Sequence, residues 1–357
     1  MKYSTLSDVL GAWQSMQPLS ARDHEMLCRR FAIDFNYNSN HMEGNTLTYG
    51  QTEILLLFGK VIGEANVDDV IEMKASDVGL KMMQEEARMK EMPLSQAFIR
   101  TLHKTLLRED YTVYRNLPGG MTTSYVIHAG QYKTRPNSVI TRYGDRFEYA
   151  SPEETPALMT DLVNWYNDEE KRGDLSPVEL AALFHYRYIR IHPFEDGNGR
   201  MARLMVNFIL LRHGYPMIVV RSRKKQEYLE ALHKTDLKVG SAPSDGANAR
   251  IEDITAFLRY FQNLMKEEIE YSIRFLTERG ENVWWFDGER INFRAETTNK
   301  ILQMLRREAV VTIQDLMDET GINKSAVNKQ LKLLKERKYI TKNEDTGEWH
   351  VIITPSI

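Results

Sequence analysis

His192 and Asp196 stand four residues apart in "IHPFEDGNGRMARLMVNFILLRHG", and Arg200 and Arg203 follow on the same stretch. The residue types suggest one kind of chemistry. Histidine can take up a proton near neutral pH. Aspartate is a hard oxygen ligand, suited to a Mg²⁺ ion that bridges phosphates. Gly197, Asn198 and Gly199 open a helix, so their backbone N–H groups form an anion site that the helix dipole reinforces. Arg200 and Arg203 are three apart and share a face of that helix. Base, metal carboxylate, phosphate nest and two cations make a kit for phosphoryl or nucleotidyl transfer. A lone His-Pro, a Gly-Asn-Gly turn or an arginine pair is ordinary in a loop or on a surface. The reading rests on all of them falling within residues 192–203.

The flanking sequence shows how such a loop is held. Pro193 excludes the α region for His192 and so ends the preceding helix. That helix starts with Ser176 as cap, Pro177 at the first position and Glu179 closing a capping box. Leu204, Phe208 and Leu211 recur at helical spacing after the loop, and Gly214 closes the second helix. Helical periodicity dominates from residue 20 to about 270. One helix is expected over 21–43, a second after a Thr48 cap, and two more in "DDVIEMKASDVGLKMMQEEARM" and "SQAFIRTLHKTLL". Residues 111–150 are turn-rich and predict a short hairpin, with Ser138, Val139, Ile140 and Thr141 on one arm and 147–149 on the other. Ser151 and Pro152 predict the next helix start. After "WWFDGERINFR" the pattern becomes helix, helix–turn–helix and a two-stranded wing. The expected fold is mainly α, with a helical core and small hairpin, followed by a winged helix-turn-helix. The expected division is 1–95 (N-terminal helical region), 96–275 (catalytic core), 276–290 (linker) and 291–357 (winged helix).

The chain has 357 residues, 27% charged, with a formal net charge of −3, so it is not a polyelectrolyte binder as a whole. Charge is local instead: residues 323–342 carry seven basic side chains against Glu336 alone. That is the balance of a recognition helix on a phosphate backbone, and DNA is the partner it suggests. Cys28 is the only cysteine, which excludes an intrachain disulfide and a cysteine metal cluster and fits a cytoplasmic setting. No signal-peptide core and no apolar run of membrane-spanning length occur, so no membrane partner is expected. His41, His103, His128, His185 and His213 lack metal-ligand spacing and read as structural. Glu195 reads as exposed, Arg187 and Arg190 as salt-bridged, and Trp284 and Trp285 as core.

"HPFEDGNGRMAR" resembles the Fic signature, His-x-Phe-x-(Asp/Glu)-Gly-Asn-Gly-Arg-x-x-Arg, at every defined position. The resemblance extends over most of residues 30–270. "GQYKTRPNSV" looks like the family's strand-and-flap segment, with Lys133 where many relatives carry Arg. The resemblance implies transfer of AMP from ATP to a target-protein hydroxyl. His192 would take the proton and Phe194 would anchor the loop. Asp196 would hold Mg²⁺. Gly197, Asn198 and Gly199 would cradle phosphate, while Arg200 and Arg203 would bind the outer phosphates. Ser138, Val139, Ile140 and Thr141 would clamp the target main chain. Tyr228 would line the nucleoside pocket.

"SNHMEGN" resembles the inhibitory Ser/Thr-x-x-x-Glu-(Gly/Asn) motif of some Fic proteins, with Ser39, Glu43 and Gly44 matching. Read as the last turn of a helix, it puts a carboxylate at the dipole's negative end, where it needs compensation. The expected partner is Arg203. Other readings stay open at this point. They are a nucleotide-sensing transcription regulator, a Fic enzyme with another nucleotide or phosphocholine-type donor, and removal of AMP. Self-association and the target are also open.

Overall fold

Capping chemistry sets most of the helix starts, as the sequence indicates. In the computed structural model, which describes residues 3–116, 122–140, 146–280, 282–308, 310–344 and 346–355, Thr48 and Gln51 form a capping box for Tyr49–Phe58. Ser95 caps Gln96–Leu107. Ser176 and Glu179 form the box for Pro177–Ile191. The long helices Ala21–His41 and Val67–Arg88 also form as expected.

Three readings change. The first long helix ends at His41, and Met42 to Gly44 form a turn, so Glu43 lies just past the helix. The helix expected from Ser151 begins at Thr155, with Pro156 in its first turn. A start at Pro152 would bury Pro156 beyond the first turn, where its ring clashes and a hydrogen bond is lost. Ser151 and Glu154 instead close their own turn: the Ser151 N–H donates to Glu154 Oε2 at 3.0 Å and the Glu154 N–H to Ser151 Oγ at 3.2 Å. Finally, the turn-rich region holds two hairpins. Tyr111–Asn116 pairs with Thr122–Ile127, and the expected Ser138–Ile140 pairs with Arg146–Glu148. Thr141 lies outside the described residues.

The chain divides into two compact units. One comprises residues 38–45 and 71–265 and contains the motif loop. Its centre is the pair Pro177–Ile191 and Asn198–Arg212, joined by that loop. Both helices are buried on nearly every face because neighbours surround them: Phe184, Tyr188, Phe208 and Ile209 are fully buried. Arg212 is tolerated inside because its guanidinium pairs with Glu170 at 2.6 Å and donates to the carbonyls of Met89, Lys90 and Met92.

The other unit comprises residues 1–37, 46–70 and 266–357. Helices Glu296–Arg307, Ile313–Thr320 and Lys324–Glu336 are followed by the paired strands Ile340–Lys342 and Trp349–Val351. This is the expected winged helix-turn-helix. Residues 283–292 form a hairpin, and Val283–Phe286 also pairs with Thr354–Pro355. Trp284 and Trp285 are fully buried, as expected, and Trp284 Nε1 donates to Asn299 Oδ1 at 2.9 Å. No helix among the described residues is long and apolar enough to cross a membrane.

Candidate active site

The motif loop is built from backbone rules. His192 takes the left-handed conformation, φ 51° and ψ 61°, and its N–H returns to Tyr188 O at 2.9 Å. Gly197, at φ 76°, turns the chain into Asn198–Arg212. Phe194 is fully buried and stacks on His103 with ring centroids 3.7 Å apart. His103 accepts the Gly130 N–H on Nδ1 at 2.9 Å, so Nε2 carries the proton and donates to Asp196 O at 2.9 Å. Burial lowers the His103 pKa to about 4, which keeps that neutral form. Lys133 Nζ donates to the last carbonyls of the first helix, Ile191 O at 3.1 Å and His192 O at 2.9 Å. A cation at a helix C-terminus is favourable there. Burial lowers the Lys133 pKa to about 7, against the pull of Glu154.

Two amides and one ring define the setting of His192. Asn137 Nδ2 lies 2.8 Å and Asn198 Nδ2 3.1 Å from His192 Nδ1. Asn137 Oδ1 accepts from Lys133 at 2.9 Å, and Asn198 Oδ1 accepts the Phe194 N–H at 3.0 Å. With both oxygens engaged, both amides donate to Nδ1, and the neutral ring keeps its proton on Nε2. Asn198 Nδ2 also donates to Phe194 O at 2.7 Å, so its side chain stitches the loop together. The Tyr149 ring stacks on the imidazole at 4.0 Å and 11°. Burial, and then the Lys133 charge, lower the His192 pKa to about 3, opposed by Asp196, so the ring is neutral at physiological pH.

Asp196 Oδ2 accepts from Tyr111 Oη at 2.7 Å and pairs with Arg200 Nη2 at 3.3 Å. Burial raises the Asp196 pKa, but Arg200, Tyr111 and the Gly197 N–H outweigh it and hold the group ionised. Among the described residues no three His, Cys, Asp or Glu side chains cluster as a metal cage. One ionised carboxylate still fits Mg²⁺, which commonly uses one or two carboxylates and takes its other ligands from water and substrate phosphates.

Arg203 is where the two motifs meet. Its Nε donates to Ser39 Oγ at 3.0 Å, and Nη2 donates to Ser39 O at 2.8 Å and Glu43 Oε1 at 2.6 Å. Burial raises the Glu43 pKa, but Arg203, then Arg200 and Lys225, bring it below its ordinary value. The charge at the helix end is compensated as expected. Gly199 makes room for it: a Cβ there would stand 2.3 Å from Glu43 Oε1. Arg200 pairs with Glu72 as well as Asp196.

The remaining predicted residues lie around this centre, and Tyr228 hydrogen-bonds Arg203. Tyr228 is buried, 3.0 Å from His185 Nε2 through its hydroxyl, and lines a small cavity with Arg203, Asn207, Ile218 and Phe257. Ser138, Val139 and Ile140 form the short strand of the second hairpin. Glu195, expected to be exposed, is half-buried and accepts from Thr134 Oγ1 at 3.1 Å. Arg190 pairs with Asp236 at 3.2 Å, as expected. Arg187 instead lies 4.0 Å over the Trp165 ring and donates to Ala249 O at 2.8 Å. Sequence reading missed Tyr111, Asn137, Tyr149 and Glu72. Only Asn137 had a signal, since it lies in the quoted segment "GQYKTRPNSV".

Comparison with known proteins adds three findings. The Fic/DOC family model matches residues 93–210, and a winged helix-turn-helix DNA-binding model matches 294–341. A solved Fic domain-containing signaling protein from Bacteroides thetaiotaomicron is 52% identical, with a TM-score of 0.70, over 76% of this chain and 96% of that one. The protein adenylyltransferases fic-1 of Caenorhabditis briggsae and Caenorhabditis elegans are 28% and 29% identical over 76% and 69% of this chain. The chain spans less than half the length of these two curated relatives, 46% and 42%.

Proposed function

The chain belongs to the Fic family, and from that premise we propose that it transfers AMP from ATP to a serine, threonine or tyrosine hydroxyl of a target protein, and to itself, under restraint by Glu43. The observation that carries this reading is the convergence of His192, Asp196, Arg200 and Arg203 on one loop, with Arg203 held by Glu43. In the transfer, the target oxygen bonds to the α-phosphorus, the bond to pyrophosphate breaks, and the hydroxyl proton passes to His192. At rest the ring's lone pair, at Nδ1, is engaged by two amides. Base action therefore requires an amide to give way or the ring proton to relocate. Asp196 would hold Mg²⁺, which when bound neutralises charge on the phosphates. Backbone N–H groups at Gly197, Asn198 and Gly199 suit phosphate oxygens, and Arg200 and Arg203 suit the outer phosphates. The strand Ser138–Ile140 offers an edge to the target main chain. The reading is tested by incubating the purified protein with α-labelled nucleotides of each base, followed by mass spectrometry. AMP adducts that need Mg²⁺ support it. Adducts from another nucleotide alone, or none from a Glu43→Gly variant, overturn it.

The restraint carries a pH expectation. A carboxylate with a depressed folded-state pKa makes its full contribution above its ordinary pKa and loses it only as pH falls through the depressed value. The Glu43–Arg203 pair is therefore intact across the neutral range. The ratio of Glu43→Gly to wild-type rates should stay constant from about pH 6 to about pH 8. A ratio that collapses within that window would show that another group controls the restraint.

We also propose that the winged helix binds duplex DNA. Its helix Lys324–Glu336 exposes Ser325, Asn328, Lys329 and Lys332. Affinity should fall steeply with salt, and Lys329→Glu with Lys332→Glu should remove binding while AMP transfer persists. A gel-shift series without binding at low salt would leave this surface as a protein contact.

A further inference from the structure

A second carboxylate holds the other arginine of the motif. Glu72, on helix Val67–Arg88, pairs through Oε1 with Arg200 Nη1. Its Oε2 accepts from Asn45 Nδ2 at 2.8 Å. Asn45 lies two residues past Glu43, and its N–H returns to Asn40 O at 3.2 Å, in the turn that carries Glu43. We infer that Glu72 is a second restraint on nucleotide binding, acting on Arg200 as Glu43 acts on Arg203, and that Asn45 couples the two. The inference rests on the AMP-transfer reading of this loop.

Three observations support a restraint over simple orientation of Arg200. First, both terminal nitrogens of Arg200 are taken, Nη1 by Glu72 and Nη2 by Asp196. Each of these nitrogens keeps a second N–H, but a phosphate at the fork must share the charge with both carboxylates, and Asp196 is the one suited to the metal. Second, the partners differ in freedom: Arg200 is 5% exposed and Glu72 27%. The arginine is fixed, and the carboxylate can swing towards water. Third, Glu43, Glu72 and Asp196 together place three negative charges around two arginines, where a polyanion must bind. Displacing Glu72 removes one anionic competitor from an arginine that phosphate needs. The Glu43 and Asn45 N–H groups share Asn40 O, so one turn carries both the carboxylate on Arg203 and the amide on Glu72.

The test uses the full chain carrying His192→Ala, which blocks turnover, and measures Mg-ATP binding by calorimetry. Glu72→Gln keeps the shape and removes the charge. It should tighten ATP by about tenfold, within the usual range of coupling between sites. Glu43→Gly with Glu72→Gln should bind tighter than Glu43→Gly alone. If Glu72→Gln does not fold, Asn45→Ala takes its place and should shift affinity in the same direction, by about fivefold. Unchanged or weaker ATP binding in a folded Glu72→Gln protein overturns the inference, because a residue that only orients Arg200 would weaken binding when neutralised. Tight binding by Glu43→Gly with no effect of Glu72 sinks this inference alone. Failure of every variant to bind ATP sinks the AMP-transfer reading with it.

Discussion

Replacing His192 with alanine should lower the proposed AMP transfer by about 10²- to 10⁴-fold, the usual contribution of a general acid–base group, and the protein should stay folded. The fold should survive because the imidazole is half-buried and is not part of the apolar core. The loop keeps its other ties. Phe194 remains stacked on His103, Asn198 still bridges Phe194 N and O, and Lys133 still holds the Ile191 and His192 carbonyls. Alanine must take the same left-handed backbone, φ 51°, at a cost of about 1–2 kcal/mol at most. ATP affinity should change little, because no phosphate ligand is removed. The measurements are incorporation of label from α-labelled ATP, a thermal melt and nucleotide binding. Normal labelling by the folded variant would remove His192 from the reaction.

Glu43→Gly should raise the proposed transfer rate by about 10²-fold at equal ATP. In the resting site Arg203 donates twice to Ser39 and once to Glu43, and it also hydrogen-bonds Tyr228. The Ser39 bonds hold the guanidinium in place, and the Glu43 bond occupies the fork that a γ-phosphate would use. ATP meeting an engaged Arg203 either binds weakly or binds with its α-phosphorus displaced, and a misplacement of ~1 Å costs on the order of 10²-fold in rate. Removing the carboxylate leaves Arg203 charged but still bonded to Ser39, so loss of fold is not expected. Glu43→Gln should fall between wild type and glycine, since the amide can still accept a hydrogen bond but brings no charge. Autoadenylylation rates of the three proteins decide the matter. Equal rates with all three folded would show that Glu43 does not restrain the site.

The parts of this site that were legible in the sequence are those set by short-range backbone rules. Pro193 ends a helix at His192, the glycines open the next one, and Ser176 with Glu179 starts the first. Such effects act within one turn, so twelve residues are enough to specify the loop. The winged helix was legible for the same reason, through its helix, helix–turn–helix and two-strand pattern. The start of the helix after residue 150 was misread because two prolines compete, and the second one governs.

Family resemblance carried the pairing of Glu43 with Arg203 across 160 residues of chain. Without a motif to match, contacts of that span left no trace in the sequence. Glu72 reaches Arg200 across 128 residues, Tyr111 reaches Asp196 across 85, and Asn137 reaches His192 across 55. Each of these partners sits on an element whose periodicity and caps specify the element itself and say nothing about its neighbour. Their meeting is decided when helices and hairpins pack and every buried charge must find a counter-charge or a hydrogen bond. The sequence alone therefore determined the reactive groups and the turn that presents them. Only the tertiary structure decided which carboxylate of another helix holds Arg200 and which amides face the histidine, because those pairings satisfy buried polar groups between segments far apart in the chain.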